Sequence, residues 1–258
     1  MPTLNFEVLH FDCPIESTYM YLFDWALEHP DERANYVLDV AHQTAGRGQQ
    51  GNSWYASEGL NLLPSFLVRF PRLFSPMVWA LSELTALAVW HTVSSFLEDP
   101  TELRIKWPND IYYKNRKLAG ILIGHSLVSK RVDFSVIGIG LNVNEADFPP
   151  TLPNPISLLQ INGTPPDLQE VRKVLYDYMG RYLVEVETLS PTINLFHLEY
   201  LDKLYRRDSP STFRDMRTGQ FFCGIIRDVQ PDGRLVVMVE DRLRYFAFKE
   251  VEYVHSND

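Results

Sequence analysis

The sequence predicts an α+β protein: a mixed, mainly antiparallel sheet with helices, followed by a small β-barrel. Three observations carry this. Short alternating segments at 6–12, 36–42, 60–69, 102–107 and 131–144 are interleaved with helical stretches at 16–29, 76–97, 167–188 and 190–206. The segment DIYYKNRKLAGILIGHS (110–126) reads as strand, turn at Lys114-Asn115, strand, so pairing is locally antiparallel. After Arg207-Asp208-Ser209-Pro210 the helical period disappears, and the chain alternates to its end around a Pro-Asp-Gly turn at 231–233. The expected organisation is a domain at 1–208 and a β-module at 209–258, close to the lower size for a self-standing core.

Taken in order, FEVLHFD (6–12) alternates as a strand, and ESTYMYLFDWALEH (16–29) is a helix with Ser17 or Thr18 as N-cap. YVLDVAHQ is a strand. LNLLPSFLVRF is a second, interrupted by Pro64. The helix at 76–97 is apolar but broken by Ser82, Glu83, Thr85, His91, Thr92, Ser94 and Ser95, so it belongs in a core and not in a membrane. ELRIKW is stopped by Pro108. RVDFSVIGIGLNVN carries Gly138 and Gly140, where backbone or ligand comes close. A proline-rich connection (148–159) precedes the last two helices.

At 45% hydrophobic and 13% aromatic residues, the chain is expected to pack a core. Two cysteines far apart make neither a disulfide framework nor a zinc cluster and suit a reducing cytoplasm; no secretory signal opens the chain. A net charge of −9 argues against general nucleic-acid binding. Yet Arg104, Lys106, Lys114, Arg116 and Lys117 stand against one acid, Asp110, a local cluster suited to a small anionic ligand or a solvated hairpin turn.

In AGRGQQGNSW (45–54), Gly46, Gly48 and Gly51 fit G-x-G-x-x-G. A dinucleotide-binding turn needs a helix after it and an acid about 20 residues on. Here a second strand follows and no acid lies between Gly59 and Ser82, so the loop is not that turn. What remains is a polar loop with one fixed cation, Arg47, able to serve as a surface connection or as a lid on an anion. In KWPND (106–110), Lys106 ends a strand, Pro108 restricts the exit, and Asn109 and Asp110 present an amide and a carboxylate. Such a set suits phosphoryl chemistry, with the ammonium on oxyanions and Asp110 toward Mg²⁺. It equally suits an ordinary Pro-Asn-Asp turn.

GRGQQGNSW, KWPNDI, RKLAGILI and GIGLNVN, in this order and with these gaps, resemble the biotin–protein ligases, from about residue 16 to Asn144. The module after 209 resembles the SH3-like C-terminal domain of that family. The resemblance implies a class II synthetase-like catalytic domain of the biotin/lipoate ligase type, in the ligase-only class without an N-terminal DNA-binding domain. It implies ATP, Mg²⁺ and biotin as ligands, and a biotin carboxyl carrier protein of a biotin-dependent carboxylase as partner, with no nucleic acid and no membrane.

The implied chemistry is attack of biotin's carboxylate on the α-phosphate of ATP, then transfer from biotinoyl-adenylate to a carrier lysine. Lys106 and Arg47 match the family's catalytic cations. Ser17, Thr18, Gln43, Arg47, Gly48, Gln49, Trp54, Lys106 and Gly120 match biotin contacts. Arg47, Trp54, Lys106, Asn109, Lys117 and Asn142 match nucleotide contacts, and Asp110 a magnesium ligand. Arg214, Arg217 or Arg227 are candidates to reach the nucleotide from the C-terminal module. The loop at 46–54 is implied to clamp the adenylate, ordering on ligand. Where the family often has further loop arginines, Gln49, Gln50 and Asn52 stand here, implying weaker retention of the adenylate; Tyr19 stands where Ser-Thr-Asn is common. A lipoate or octanoate ligase or transferase, and a degenerate biotin-binding module, remain the alternatives.

Overall fold

The structure is a computed structural model describing residues 3–11, 13–70, 73, 77–186 and 195–254. Residue 12 of the expected first strand, residue 76 of the long helix, and residues 187–188 and 190–194 of the last two helices lie outside the described residues.

The elements run β1 (Glu7–Leu9), α1 (Thr18–Glu28), β2 (Tyr36–Leu38), β3 (Ser65–Val68), α2 (Val78–Ser94), β4 (Leu103–Lys106), β5 (Asp110–Tyr113), β6 (Arg116–Val128), β7 (Arg131–Leu141), α3 (Leu158–Asn162), α4 (Leu168–Glu185), α5 (Leu195–Asp202), β8 (Pro210–Asp215), β9 (Phe221–Val229), β10 (Leu235–Val239), β11 (Arg242–Phe246) and β12 (Val251–Tyr253). The main sheet has seven strands in the order β1-β2-β3-β7-β6-β5-β4. Only β1 and β2 pair in parallel; every other pairing is antiparallel. The fold is therefore α+β, as expected.

Alternation along the strands divides the side chains between two faces. Leu38, Leu67, Phe134 and Val136 pack under α1, whose Leu22 and Ala26 recur one helical turn apart. Val37, Phe66, Ile137 and Ile139 face the other way, into a core shared with α2 and α4. On α4, Val171, Leu175, Met179 and Leu183 recur at four-residue spacing, and the Asp167 carboxylate caps the first turn.

Several elements are shorter than the alternation suggested. The expected strand 36–42 pairs only over Tyr36–Leu38, because the Asp39 carboxylate then takes the Leu63 N–H and the Arg172 guanidinium in place of a backbone ladder. The regular 60–69 strand begins at Ser65, directly after Pro64, which has no N–H to give; before it, Leu62 makes a single isolated bridge to Leu141. The 148–159 connection ends in a helix the prolines concealed: Ser157 caps α3 and Gly163 closes it at φ 73°.

The C-terminal module is a five-stranded antiparallel sheet in the order β11-β10-β9-β8-β12. It does not stand apart from the main sheet. Phe213, Ile226, Leu235, Phe246, Val251 and Tyr253 belong to the same buried cluster as Leu103, Ile105 and Trp107. Trp107 Nε1 donates to the Gly233 carbonyl at 2.9 Å. Between helices and sheet, His197 of α5 contacts Glu83 of α2 at 2.8 Å and Asp228 of β9 at 3.0 Å, and Trp79 also donates to Glu83.

The hydrogen bond to Glu83 is the chief cause holding the His197 pKa above the ordinary histidine value, against the opposing effect of burial. A folded-state pKa raised above the unfolded one gives stability that is complete below about pH 6.5 and lost as pH rises through the raised value. The melting temperature should therefore fall over that interval, and His197→Gln should flatten the profile. A slope unchanged in His197→Gln would refute the assignment.

Candidate active site

The register of four neighbouring strands builds the floor of the site. Lys106 pairs with Asp110, Asp110 with Gly120, and Gly120 with Gly140. These four positions form one row across β4, β5, β6 and β7, on the face that carries α1. Three motifs that are separate in sequence become adjacent in this row. An irregularity in the β5–β6 pairing adds a fourth group: Ile111 pairs with Ala119 but Tyr112 with Lys117, so Leu118 is an extra residue. Leu118 and Ala119 both enter the core, and Lys117 is turned onto the face of Gly120.

Trp54 lies flat on the glycine pair. A Cβ at Gly140 would sit 2.6 Å from both Cζ2 and Nε1 of the indole, and a Cβ at Gly120 2.8 Å from Cζ3. Only glycines leave room for the ring. The Lys117 ammonium stands 5.3 Å over the same ring and 2.8 Å from Asp110 Oδ1. Trp54 is delivered by the 46–54 loop, a small hairpin in which Gly48 N–H donates to Asn52 O (2.7 Å) and Trp54 N–H to Gly46 O (2.9 Å). Gly51 takes φ 88°, where a side chain is strained.

Above this floor is a cleft of about 1220 Å³. Of the expected residues, Ser17, Thr18, Gln43, Arg47, Gly48, Gln49, Trp54, Lys106, Asn109, Asp110, Lys117 and Gly120 all line it. At one end, Ser17 Oγ caps α1 by accepting from Met20 N–H, so the bland reading of that residue also holds. The Thr18 hydroxyl donates to the Leu63 carbonyl (3.0 Å) and lies 2.8 Å from Ser65 Oγ. The Thr18 N–H donates to Gln43 Oε1 at 2.8 Å, which leaves the Gln43 amide nitrogen as the end free to meet an acceptor. Gln49 Oε1 and Trp54 Nε1 are buried with no hydrogen-bond partner, polar atoms whose desolvation a ligand would relieve.

At the other end, Lys106 is half-buried, and burial lowers its pKa from the ordinary lysine value while Asp110 raises it. Asn109 donates to the Ile121 carbonyl at 2.7 Å, stitching the Pro108 turn to β6. Of the five cations at 104–117, Lys106, Arg116 and Lys117 line the cleft. Arg104 bonds the Leu103 carbonyl, and Lys114 sits in the turn over Tyr113.

Four of the candidate residues lie elsewhere. Asn142 does not line the cleft. It is buried, and its amide nitrogen donates to the Ile156 carbonyl (3.0 Å) beside Lys117, while its side-chain oxygen is buried with no hydrogen-bond partner. Arg214, Arg217 and Arg227 also stay outside and pair with Glu252, with Asp215 and Glu250, and with Asp208. From the C-terminal sheet it is Met216, Phe248, Lys249, Val251, Glu252 and Tyr253 that reach the cleft. Sequence reading also passed over Tyr112, two residues beyond Asp110 and on its face by strand alternation, a signal that was available. Nothing local marks Tyr253.

Residues 13–142 match the biotin/lipoate A/B protein ligase family, half of the chain. A relative in Mycobacterium tuberculosis named biotin–[acetyl-CoA-carboxylase] ligase is 32% identical over 212 residues, covering 80% of this chain and 74% of that one. The chain belongs to the biotin/lipoate A/B protein ligase family. The Bacillus subtilis bifunctional ligase/repressor BirA is 35% identical over 196 residues, and the match spans about half, 54%, of that longer protein. Biotin protein ligase from Aquifex aeolicus, solved with biotin and ATP, has the same fold: a TM-score of 0.73 over 98% of this chain and 99% of that one, at 22% identity. For a ligase of this family, the Lys106 row, the Trp54 wall and the Thr18–Gln43 end are three parts of one cleft.

Proposed function

We propose that this chain is an ATP-dependent biotin–protein ligase. It activates biotin to biotinoyl-5′-AMP and transfers it to a lysine of a biotin carboxyl carrier protein. The observation that carries the reading is the row Lys106–Asp110–Gly120–Gly140 under Trp54, in a chain whose relatives bear the biotin ligase name.

Activation brings a carboxylate and a triphosphate together, so the site must supply fixed positive charge. Lys106 and Arg47 meet the carboxylate and the α-phosphate, and Lys117 the nucleotide. Charge that builds on the phosphoryl oxygens is met by groups already in place, and pyrophosphate departs. Thr18 and Gln43, with Ser17 beside them, present the hydroxyls and amide that a neutral urea can satisfy. Trp54 separates the two substrates from water on one side. No protein nucleophile is required, because the substrate carboxylate and then the carrier's lysine amine do the attacking.

Among the described residues no three His, Cys, Asp or Glu side chains gather to hold a metal ion. Mg²⁺ does not need such a cage, since it is commonly held by one or two carboxylates plus substrate phosphates. Asp110 fits that role, although Lys117 already contacts it. Bound there, the ion would offset phosphate charge. Residues 1–208 and 209–258 act as one catalytic unit in this proposal. A cytoplasmic site of action belongs to it as well; the described cysteines, Cys13 and Cys223, are free. Among the described residues no helix is long and apolar enough to cross a membrane.

The test is exchange of labelled pyrophosphate into ATP with Mg²⁺, no carrier, and either biotin or lipoate. Exchange with biotin alone supports the proposal. Exchange only with lipoate moves the assignment to the sister activity, and silence with both in a folded protein refutes adenylation. The loop gives a second check, because Arg47, Gly51, Asn52 and Ser53 are exposed. Trypsin cutting after Arg47 should slow several-fold when biotin and MgATP are added together. Equal rates with and without ligand would show that the loop is no clamp.

A further inference from the structure

Among the described residues no carboxylate is within ion-pair distance of the Lys106 ammonium, although Asp110 and Glu252 act on its charge from further away. Asp110 stands opposite it in register, yet that carboxylate is engaged by Lys117 at 2.8 Å. Lys106 is instead enclosed by rings. Its Nζ lies 4.5 Å from the centroid of Tyr112 and 5.1 Å from that of Tyr253, and it donates to the Tyr112 hydroxyl at 3.0 Å. Tyr253 comes from β12, the far end of the C-terminal sheet, where it pairs with Phe213 and is 7% exposed. Tyr205 braces both rings, with centroids 5.6 Å from Tyr112 and 5.9 Å from Tyr253, and its hydroxyl donates to Asn115.

We propose that Tyr253 is a positioning residue through which the C-terminal sheet acts in adenylation: it holds the Lys106 ammonium by its π face, while the Tyr112 hydroxyl oxygen accepts a hydrogen bond from it. The inference rests on the ligase reading above. Its physical logic is charge conservation at the site. A carboxylate would hold the ammonium equally well but would neutralise it and repel an incoming carboxylate and triphosphate. A π face attracts the cation through its quadrupole and leaves the full positive charge available to substrate. Burial keeps both phenols protonated, so neither supplies a competing negative charge. The C-terminal sheet thus contributes an aromatic ring to the ammonium.

Replacing Tyr253 by leucine should lower kcat of biotin-dependent pyrophosphate exchange roughly tenfold, in line with a desolvated cation–π contact, while leaving the KM for biotin unchanged. Tyr253→Phe, which keeps a ring, should restore most of that loss. In a Lys106→Ala background, Tyr253→Leu should have no further effect, because the group it positions is gone. A merely structural role would lower activity in both backgrounds alike. Should the leucine variant fold poorly, phenylalanine analogues with increasing fluorination at 253 keep the shape and weaken the quadrupole, and kcat should fall stepwise along the series. A flat series, a phenylalanine variant as impaired as leucine, or multiplying losses in the double variant would overturn the inference.

A readout independent of activity separates this inference from the ligase reading. In protein with ¹³C-dimethylated lysines, the Lys106 signal, assigned by its loss in Lys106→Arg, should be shifted upfield by the rings and move downfield in Tyr253→Leu. An unshifted signal overturns the clamp even if exchange is active. A shifted signal with no exchange leaves the clamp standing and removes the ligase reading.

Discussion

Lys106→Ala is expected to lower biotin-dependent pyrophosphate exchange by about 10²–10³, or about 2.7–4 kcal/mol of transition-state stabilisation, the usual cost of removing one preorganised donor. The protein should remain folded. Lys106 sits at the end of β4 with its head in the cleft, and a buried ammonium whose pKa is already lowered by burial adds little to stability. Binding of biotin alone should change little, because the proposed function assigns its ureido end to Thr18 and Gln43. Lys106→Arg should recover little, since the longer guanidinium fork does not put its charge where the compact ammonium stands, against the Tyr112 hydroxyl. Near-normal exchange in Lys106→Ala, measured alongside an unchanged melting profile, would exclude the mechanism proposed above.

Gly140→Ala is the second large effect, from one methyl group. The added carbon would overlap the Trp54 indole, which rests directly on the Gly120–Gly140 backbone. Overpacking of this kind costs about 1–3 kcal/mol. Here it is relieved by pushing the indole off the sheet, because Trp54 rides on a loop hairpin and β7 is held on both sides. The KM values for biotin and ATP should both rise at least tenfold, with a changed tryptophan emission and little loss of global stability. Adding Trp54→Ala should remove the strain without restoring binding. Unchanged KM values in Gly140→Ala would mean that the indole does not wall the cleft.

The sequence carried much of this site because its chemistry is written in short contiguous motifs. Lys106, Asn109 and Asp110 follow from a strand stopped by proline, Lys117 and Gly120 from the next strand of the same hairpin, and Arg47 and Trp54 from one glycine-rich loop. Twelve of the residues singled out line one cleft, while Asn142 and the three arginines of the C-terminal module do not. Asn142 follows the GIGL strand, whose end is covered by the 154–157 segment, and its amide nitrogen bonds that cover while its oxygen is left without a partner. A motif match does not show which neighbouring segment will cover a residue. The short helix α3 was hidden for a related reason: proline density masked the Ser157 cap.

Local patterns therefore determined the α+β class, the β5–β6 hairpin, a first helix capped at Ser17 or Thr18, and the change to strands after Pro210. Alternation, capping and turn chemistry act over a few residues, so they are legible without the rest of the chain. The tertiary structure alone decided three things. Hydrogen-bond register across four strands lined up Lys106, Asp110, Gly120 and Gly140. The bulge at Leu118 turned Lys117 onto their face. Burial of Phe213, Val251 and Tyr253 in the common core brought β12 against Lys106. Register and docking depend on cross-strand pairs and buried area summed over distant segments, and a single pass along the chain contains neither sum.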